Sequence, residues 1–141
     1  MSFLAGMGET MRCYAQFRAG RLEQYGVVGY QYLYITTLCR NPGMSQDELA
    51  EKLIFNKSSV ARQVAALEEK GFVTRRRNEK DKREMLVYPT EKAQEVFPAI
   101  QKVIKEFREH LTSEMAPEDR KAFEDQLAVI QEKAKAALEE K

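Results

Sequence analysis

The chain has one histidine, His110, and two cysteines, Cys13 and Cys39, with no Cys-x-x-Cys pair. Zinc held by the usual nitrogen and sulfur ligands is without support, and neither a metal nor a cofactor is expected. A Ser-His-Asp set cannot be drawn around a sole histidine at a helix end. The carboxylates are spread along charged helix faces and no glycine-rich phosphate loop is present, so an enzyme is not expected. Two cysteines are too few for a disulfide framework, which leaves reduced thiols as the expectation. No apolar run is long enough to cross a bilayer, and no N-terminal stretch joins a basic start, an apolar run and a cleavage site. A cytoplasmic protein with no membrane partner is expected.

Net charge is also nearly absent, at +1, which would argue against a nucleic-acid partner if charge were uniform. It is not uniform. Lys52 through Arg83 holds ten Lys/Arg against four Asp/Glu, whereas Glu91 through Lys141 holds nine against twelve. Positive charge is concentrated in one stretch, the footprint expected of a DNA-binding surface; a merely solvated charged face is the bland alternative. With 141 residues and 43% apolar content, the chain suits one domain of ordinary size.

The basic stretch has internal order. Ser45-Gln46-Asp47-Glu48 has the Ser-x-x-Glu form that satisfies free amides at a helix start, and Leu49, Ala50 and Leu53 follow at helical spacing, ending near Ile54-Phe55. Asn56 suits the N-cap of a second helix whose stripe is Val60, Val64 and Leu67, with Ala61 between them. Lys57, Ser58, Ser59, Arg62 and Gln63 face elsewhere, in the half that a helix-turn-helix presents to base edges. Arg62 and Gln63 can make bidentate contacts to guanine and adenine respectively. Gly71 stops the helix, and Phe72 to Arg77 and Met85 to Tyr88 read as strands. Between Arg75 and Arg83 lie six basic side chains in nine residues, which suits a phosphate backbone or a narrow minor groove. The segment from Ser45 to Thr90 thus reads as a winged helix-turn-helix with a two-stranded wing. Its expected DNA-facing set is Ser45, Lys57, Ser58, Ser59, Arg62, Gln63, Arg75, Arg77, Lys80, Lys82 and Arg83. Asp81 and Arg83, two apart on a strand, would project to one side, with Asp81 holding a neighbouring arginine to stiffen the tip and Arg83 free for the minor groove.

Ser45-Gln46-Asp47-Glu48-Leu49-Ala50, Ser58-Ser59-Val60-Ala61-Arg62-Gln63-Val64, Leu67-Glu68-Glu69-Lys70-Gly71-Phe72-Val73 and Asp81-Lys82-Arg83 resemble the MarR family of bacterial transcription regulators, over nearly the whole chain. The family's Asp-x-Arg is matched by Asp81 and Arg83. Its Leu-Thr-x-x-Gly at the next helix start reads here Pro89-Thr90-Glu91-Lys92-Ala93, where the departures at Pro89 and Ala93 leave the geometry of the strand-to-helix junction open, but not the resemblance. The resemblance implies a dimeric regulator of double-stranded DNA, more often a repressor, answering a small effector. It also makes Cys13, on the first helix, a candidate oxidant sensor; a buried or half-buried inert thiol is the competing reading.

The flanks read as helices. Leu4, Met7, Met11 and Tyr14 form a seam over residues 3 to 18 that should meet another helix. Tyr30 to Arg40 resumes a helical pattern after Gly26 and Gly29, and Asn41-Pro42-Gly43 closes it. Tyr25, Tyr30, Tyr32 and Tyr34 crowd around that break; with Met11 and Tyr14, the residues Tyr25, Tyr30 and Tyr34 are candidates for a small aromatic effector's pocket, against the reading that they are core or boundary aromatics. Thr90 can cap a long helix bearing Val96, Phe97, Ile100, Val103, Ile104, Phe107 and Leu111, with a kink or restart at Pro98. Pro117 opens a last helix striped by Phe123, Leu127, Ile130, Ala134 and Leu138. The expected fold is mainly α with a small β wing, one domain in which residues 30–90 form the DNA-binding lobe and residues 1–22 and 91–141 a helical dimerisation region. A winged helix used only to bind protein and a thiol-switched regulator remain as rivals.

Overall fold

The computed structural model describes residues 2–140; Met1 and Lys141, the outer ends of the expected helical region, lie outside them. Six α-helices and three short strands follow in the order α1 (Phe3–Leu22), α2 (Gln31–Arg40), β1 (Met44–Ser45), α3 (Gln46–Leu53), α4 (Lys57–Glu69), β2 (Val73–Arg77), β3 (Met85–Pro89), α5 (Glu91–Thr112) and α6 (Pro117–Glu139). The chain divides into two compact units, residues 1–105 and 106–141.

In the first unit the core is built from the apolar stripes of α2 to α5 and the inner face of the sheet. Ile35, Leu38, Leu49, Val60, Val64, Leu67, Val87 and Ile100 are fully buried. Each such side chain contributes roughly 1.5 to 3 kcal/mol relative to exposure, so the α3–α4 pair is anchored from below and leaves its outer surface free for polar residues. The capping box on α3 is complete: Ser45 Oγ accepts from the Glu48 N–H at 3.0 Å and Glu48 Oε1 accepts from the Ser45 N–H at 3.1 Å. Asn56 Oδ1 accepts from the Ser59 N–H at 2.8 Å and caps α4. Gly71 has φ +84° and turns the chain from α4 into β2, a conformation that favours glycine.

The wing is part of a three-stranded antiparallel sheet of order β1-β3-β2, not a two-stranded ribbon. Met44 pairs with Val87 and Ser45 with Leu86. Two residues are too few for alternation to register in a sequence, so β1 is not legible there. The strand-to-helix junction is bonded through Pro89 and Ala93. Pro89 pairs with Val73 at the sheet end, and the next residue supplies the donor that proline lacks, with the Thr90 N–H bonded to the Phe72 carbonyl at 2.9 Å. Thr90 Oγ1 accepts from the Ala93 N–H at 3.3 Å and caps α5, and the Ala93 methyl is fully buried. Of the kink or restart expected at Pro98, the restart does not occur: α5 runs as one helix from Glu91 to Thr112.

In the second unit, α6 begins at Pro117 as expected and carries no buried residue over its 23 positions. Phe123, Val129, Ile130 and Leu138 are exposed, and Leu127 is half-buried. Back in the first unit, the α1 seam is equally bare, with Leu4, Met7 and Met11 exposed.

Candidate nucleic-acid interface

The N-terminal half of α4 carries the side chains that its sequence spacing assigns to the outside. Lys57, Ser58, Arg62 and Gln63 are exposed and Ser59 is half-buried. They are tied to one another: Ser58 Oγ donates to Asn56 Oδ1 at 2.8 Å, Arg62 Nη2 donates to Ser59 Oγ at 3.2 Å, and Lys57 pairs with Asp47 of α3 at 3.6 Å. Gln63 Oε1 accepts from Gln31 Nε2 of α2 at 3.3 Å. This is a preorganised polar surface on a helix whose other side is anchored in the core.

Ser45 does not belong to that surface. It is buried, with its hydroxyl engaged in the α3 cap, because the same Ser-x-x-Glu motif that starts the helix consumes the side chain. Arg75 is likewise withdrawn. It is half-buried, donating to Glu68 Oε1 at 2.9 Å and to Gln46 Oε1 at 3.4 Å, so it ties β2 to α4 and α3 instead of standing free for a phosphate. The Arg75 guanidinium holds the Glu68 carboxyl below the usual carboxylate range, chiefly through that hydrogen bond. Arg76, absent from the set expected to face DNA, is exposed and stacks over the Tyr88 ring at 4.7 Å.

At the wing tip, Arg77, Lys80, Lys82 and Arg83 are exposed. Residues 78–84 form a turn and not a strand, so Asp81 and Arg83 meet by chain reversal. Asp81 holds Arg83 itself: Arg83 Nε and its backbone N–H each donate to Asp81 Oδ1 at 3.1 Å, and Arg83 Nη2 to Oδ2 at 3.4 Å. The expected division, with Asp81 on another arginine and Arg83 unbound, is corrected. The paired Arg83 side chain still remains 92% exposed, and the Asp81 carboxyl is held low mainly by its hydrogen bonds from Arg83. Arg77 Nη1 donates to the Lys82 carbonyl, and Asn78 Nδ2 to Glu84 Oε2 at 2.8 Å, closing the loop.

Among the described residues, those expected to hold an effector fall in different places. Tyr30 and Tyr34, one helical turn apart, line a cavity of about 310 Å³ with Gly29, Phe55, Ser59 and Gln63. Tyr25 lines another with Phe72, Lys92, Glu95 and Val96, because it precedes the turn at Gly26. Met11 lines neither. Tyr32 lies near Tyr14, with ring centroids 6.0 Å apart. There the residue that sequence reasoning missed is Arg18. It is 5% exposed, its guanidinium lies 4.4 Å from the Tyr14 ring and 4.3 Å from Tyr32, and its Nε has no hydrogen-bond partner. Arg18 also lines a cavity of about 280 Å³ with Ala15, Ala19, Leu22, Val27 and Val28, and Glu23 brings a carboxylate to the same lining. Burial raises the Tyr32 hydroxyl pKa well above the usual tyrosine range. An arginine on a helical stripe of a charged chain gives no signal in sequence that its head group is buried among rings. Cys13 is exposed on α1, not buried; Cys39 is half-buried, and burial raises its thiol pKa.

The sequence profile described as the MarR family matches residues 30–85, the segment from the start of α2 to the start of β3. The HTH-type transcriptional regulator YwoH of Bacillus subtilis is 32% identical over 83% of this chain and 85% of its own length. The chain belongs to the MarR family. A second Bacillus subtilis relative, the HTH-type transcriptional regulator YybA, is 35% identical over 51% of this chain, a match that spans only 48% of YybA. The crystal structure of a MarR family transcriptional regulator from Listeria monocytogenes complexed with 26mer DNA superposes with a TM-score of 0.89 at 21% identity, covering 94% of this chain and 89% of that one. It shares the winged-helix fold. Both Bacillus subtilis relatives are named as transcriptional regulators, and no helix among the described residues is long and apolar enough to cross a membrane.

Proposed function

We propose that this MarR family regulator binds double-stranded DNA as a homodimer, with α4 in the major groove and the wing tip in the flanking minor groove, and represses transcription from a pseudo-palindromic operator. The observation that carries the reading is the exposed row Lys57, Ser58, Arg62 and Gln63 on the N-terminal half of a capped, core-anchored α4, beside a wing whose Arg83 is ordered and yet exposed. Arg62 is the side chain suited to guanine, and Arg83 to the negative potential of a narrow groove. That the Listeria monocytogenes protein of the same fold was solved with 26mer DNA supports DNA as the partner. Two bare apolar helix faces, on α1 and on α6, support pairing with a second copy, since such faces lose stabilisation when left in water.

We propose a different place for an effector, the cavity beside Arg18, which none of Met11, Tyr14, Tyr25, Tyr30 and Tyr34 lines. A small molecule that joins an apolar body to a single acidic group suits it, with Arg18 as the cation and Leu22, Val27 and Val28 as apolar walls, while Glu23 of the same lining disfavours a second acidic group. Selection of genomic DNA fragments with the purified protein tests the regulator reading. Enrichment of sites with inverted-repeat symmetry is expected; recovery of fragments without a shared motif would overturn it.

A further inference from the structure

Gln31, at the first turn of α2, is 5% exposed and hydrogen-bonded at both ends of its amide. Its Oε1 accepts from Lys70 Nζ at 2.9 Å and from the Val28 N–H at 3.2 Å. Lys70 Nζ also donates to the Gly26 carbonyl at 2.7 Å, which fixes the ammonium at the C-terminal end of α4. The Gln31 Nε2 then donates to Gln63 Oε1 at 3.3 Å. An ammonium and a backbone N–H are donors only. They therefore dictate which end of the Gln31 amide is oxygen, and the NH₂ end has to face Gln63. Gln63 can answer an NH₂ group only with its own oxygen.

We propose that Lys70 and Gln31 form a polarity relay that sets the Gln63 amide with its oxygen inward and its NH₂ outward, so that Gln63 reads acceptor-bearing base edges, guanine first. Bidentate pairing with adenine needs the oxygen and the NH₂ of one amide turned together to N6 and N7. With the oxygen held by a buried partner, the outward end is a donor alone. Guanine, with acceptors at both O6 and N7, suits it; cytosine, with only its N4 donor, does not. Gln31 is a positioning residue that never touches DNA, and the inference rests on the reading of α4 as the base-reading helix.

Selection from a pool of randomised duplexes with the full chain tests the relay, using the parent, Gln63→Ala, Gln31→Glu and Gln31→Leu, each shown to be folded by its melting curve. In the parent, one position per half-site is expected to favour guanine by about fivefold or more, and Gln63→Ala loses that preference. Gln31→Glu keeps acceptors for Lys70 and Val28 but offers an acceptor to Gln63 as well. The Gln63 amide turns over, and the same position changes to a donor-bearing base, cytosine or adenine. Gln31→Leu, similar in size, removes the relay and lets adenine rise at that position. The same base chosen by the parent and both Gln31 variants, or adenine at the Gln63-dependent position of the parent, would overturn the relay while leaving the regulator reading intact. A parent that enriches no sequence would overturn both.

Discussion

Arg75 and Arg83 carry the same charge in opposite surroundings, because one finds carboxylate and amide partners on neighbouring elements and the other pairs with Asp81 in its own turn. Arg83→Ala should leave folding intact, weaken operator binding and lower the slope of log affinity against log salt by about one unit for each phosphate that a wing no longer neutralises. Asp81→Ala should also weaken binding although it makes the protein more positive, since it removes the acceptor that orders both the Arg83 side chain and its backbone N–H. A gel-shift series in salt checks both; an Asp81→Ala variant that binds more tightly would show that charge alone matters. The carboxyls of Glu68 and Asp81 are both held low by their arginines. A lowered folded-state pKa means that any stabilisation is present above the unfolded value and is lost as pH falls through the folded one, so both pairs should survive below the ordinary carboxylate range. NMR titration should find Glu68 below its ordinary value and moved up in Arg75→Ala. A Glu68 midpoint unchanged by that substitution would contradict the assigned pairing. At this scale the sequence displays which residue types could face DNA, but not which already have partners within the fold. Ser45 and Arg75 are engaged inside the fold, Ser45 by the α3 cap and Arg75 by Glu68 and Gln46, partners that are set by the cap and by the packing of β2 on α3 and α4.

The elements are legible wherever their signals are local. The Ser-x-x-Glu box, the Asn56 cap, Gly71 and Pro117 mark helix ends through bonds or backbone angles that depend on neighbours within a few residues. What escapes are features set by long-range pairing, namely β1 and the placement of Arg18 among tyrosines. One local rule is broken in the turn between α3 and α4. Ile54 has φ +60°, the only positive φ among the described non-glycine residues, and is 52% exposed. A β-branched side chain is strained in that region at a cost of about 1 to 3 kcal/mol. Ile54→Gly should relieve the strain and, after the extra chain entropy of glycine, stabilise the protein by about 1 kcal/mol. A fall in the denaturation midpoint would mean that the exposed Ile54 side chain contributes more than its backbone costs.

For the whole molecule, the family and the lobe are visible in the sequence because the helix-turn-helix and wing are contiguous from Ser45 to Thr90, whereas the proposed pairing surface is split between α1 and α6 and shows only as apolar stripes without a partner. Leu127→Glu with Ile130→Glu should convert the dimer to single chains in light scattering at micromolar concentration. A mass of one chain for the parent would remove the dimer from the account. The reading of DNA by α4 meets its most direct test in the affinities of the parent and Arg62→Ala for a selected operator and for each of its single base-pair substitutions. For the parent, one position per half-site should cost about 1 to 3 kcal/mol when its guanine is replaced, and for Arg62→Ala that position alone should cost nothing. Identical penalties for both proteins at every position would contradict the placement of α4 in the major groove.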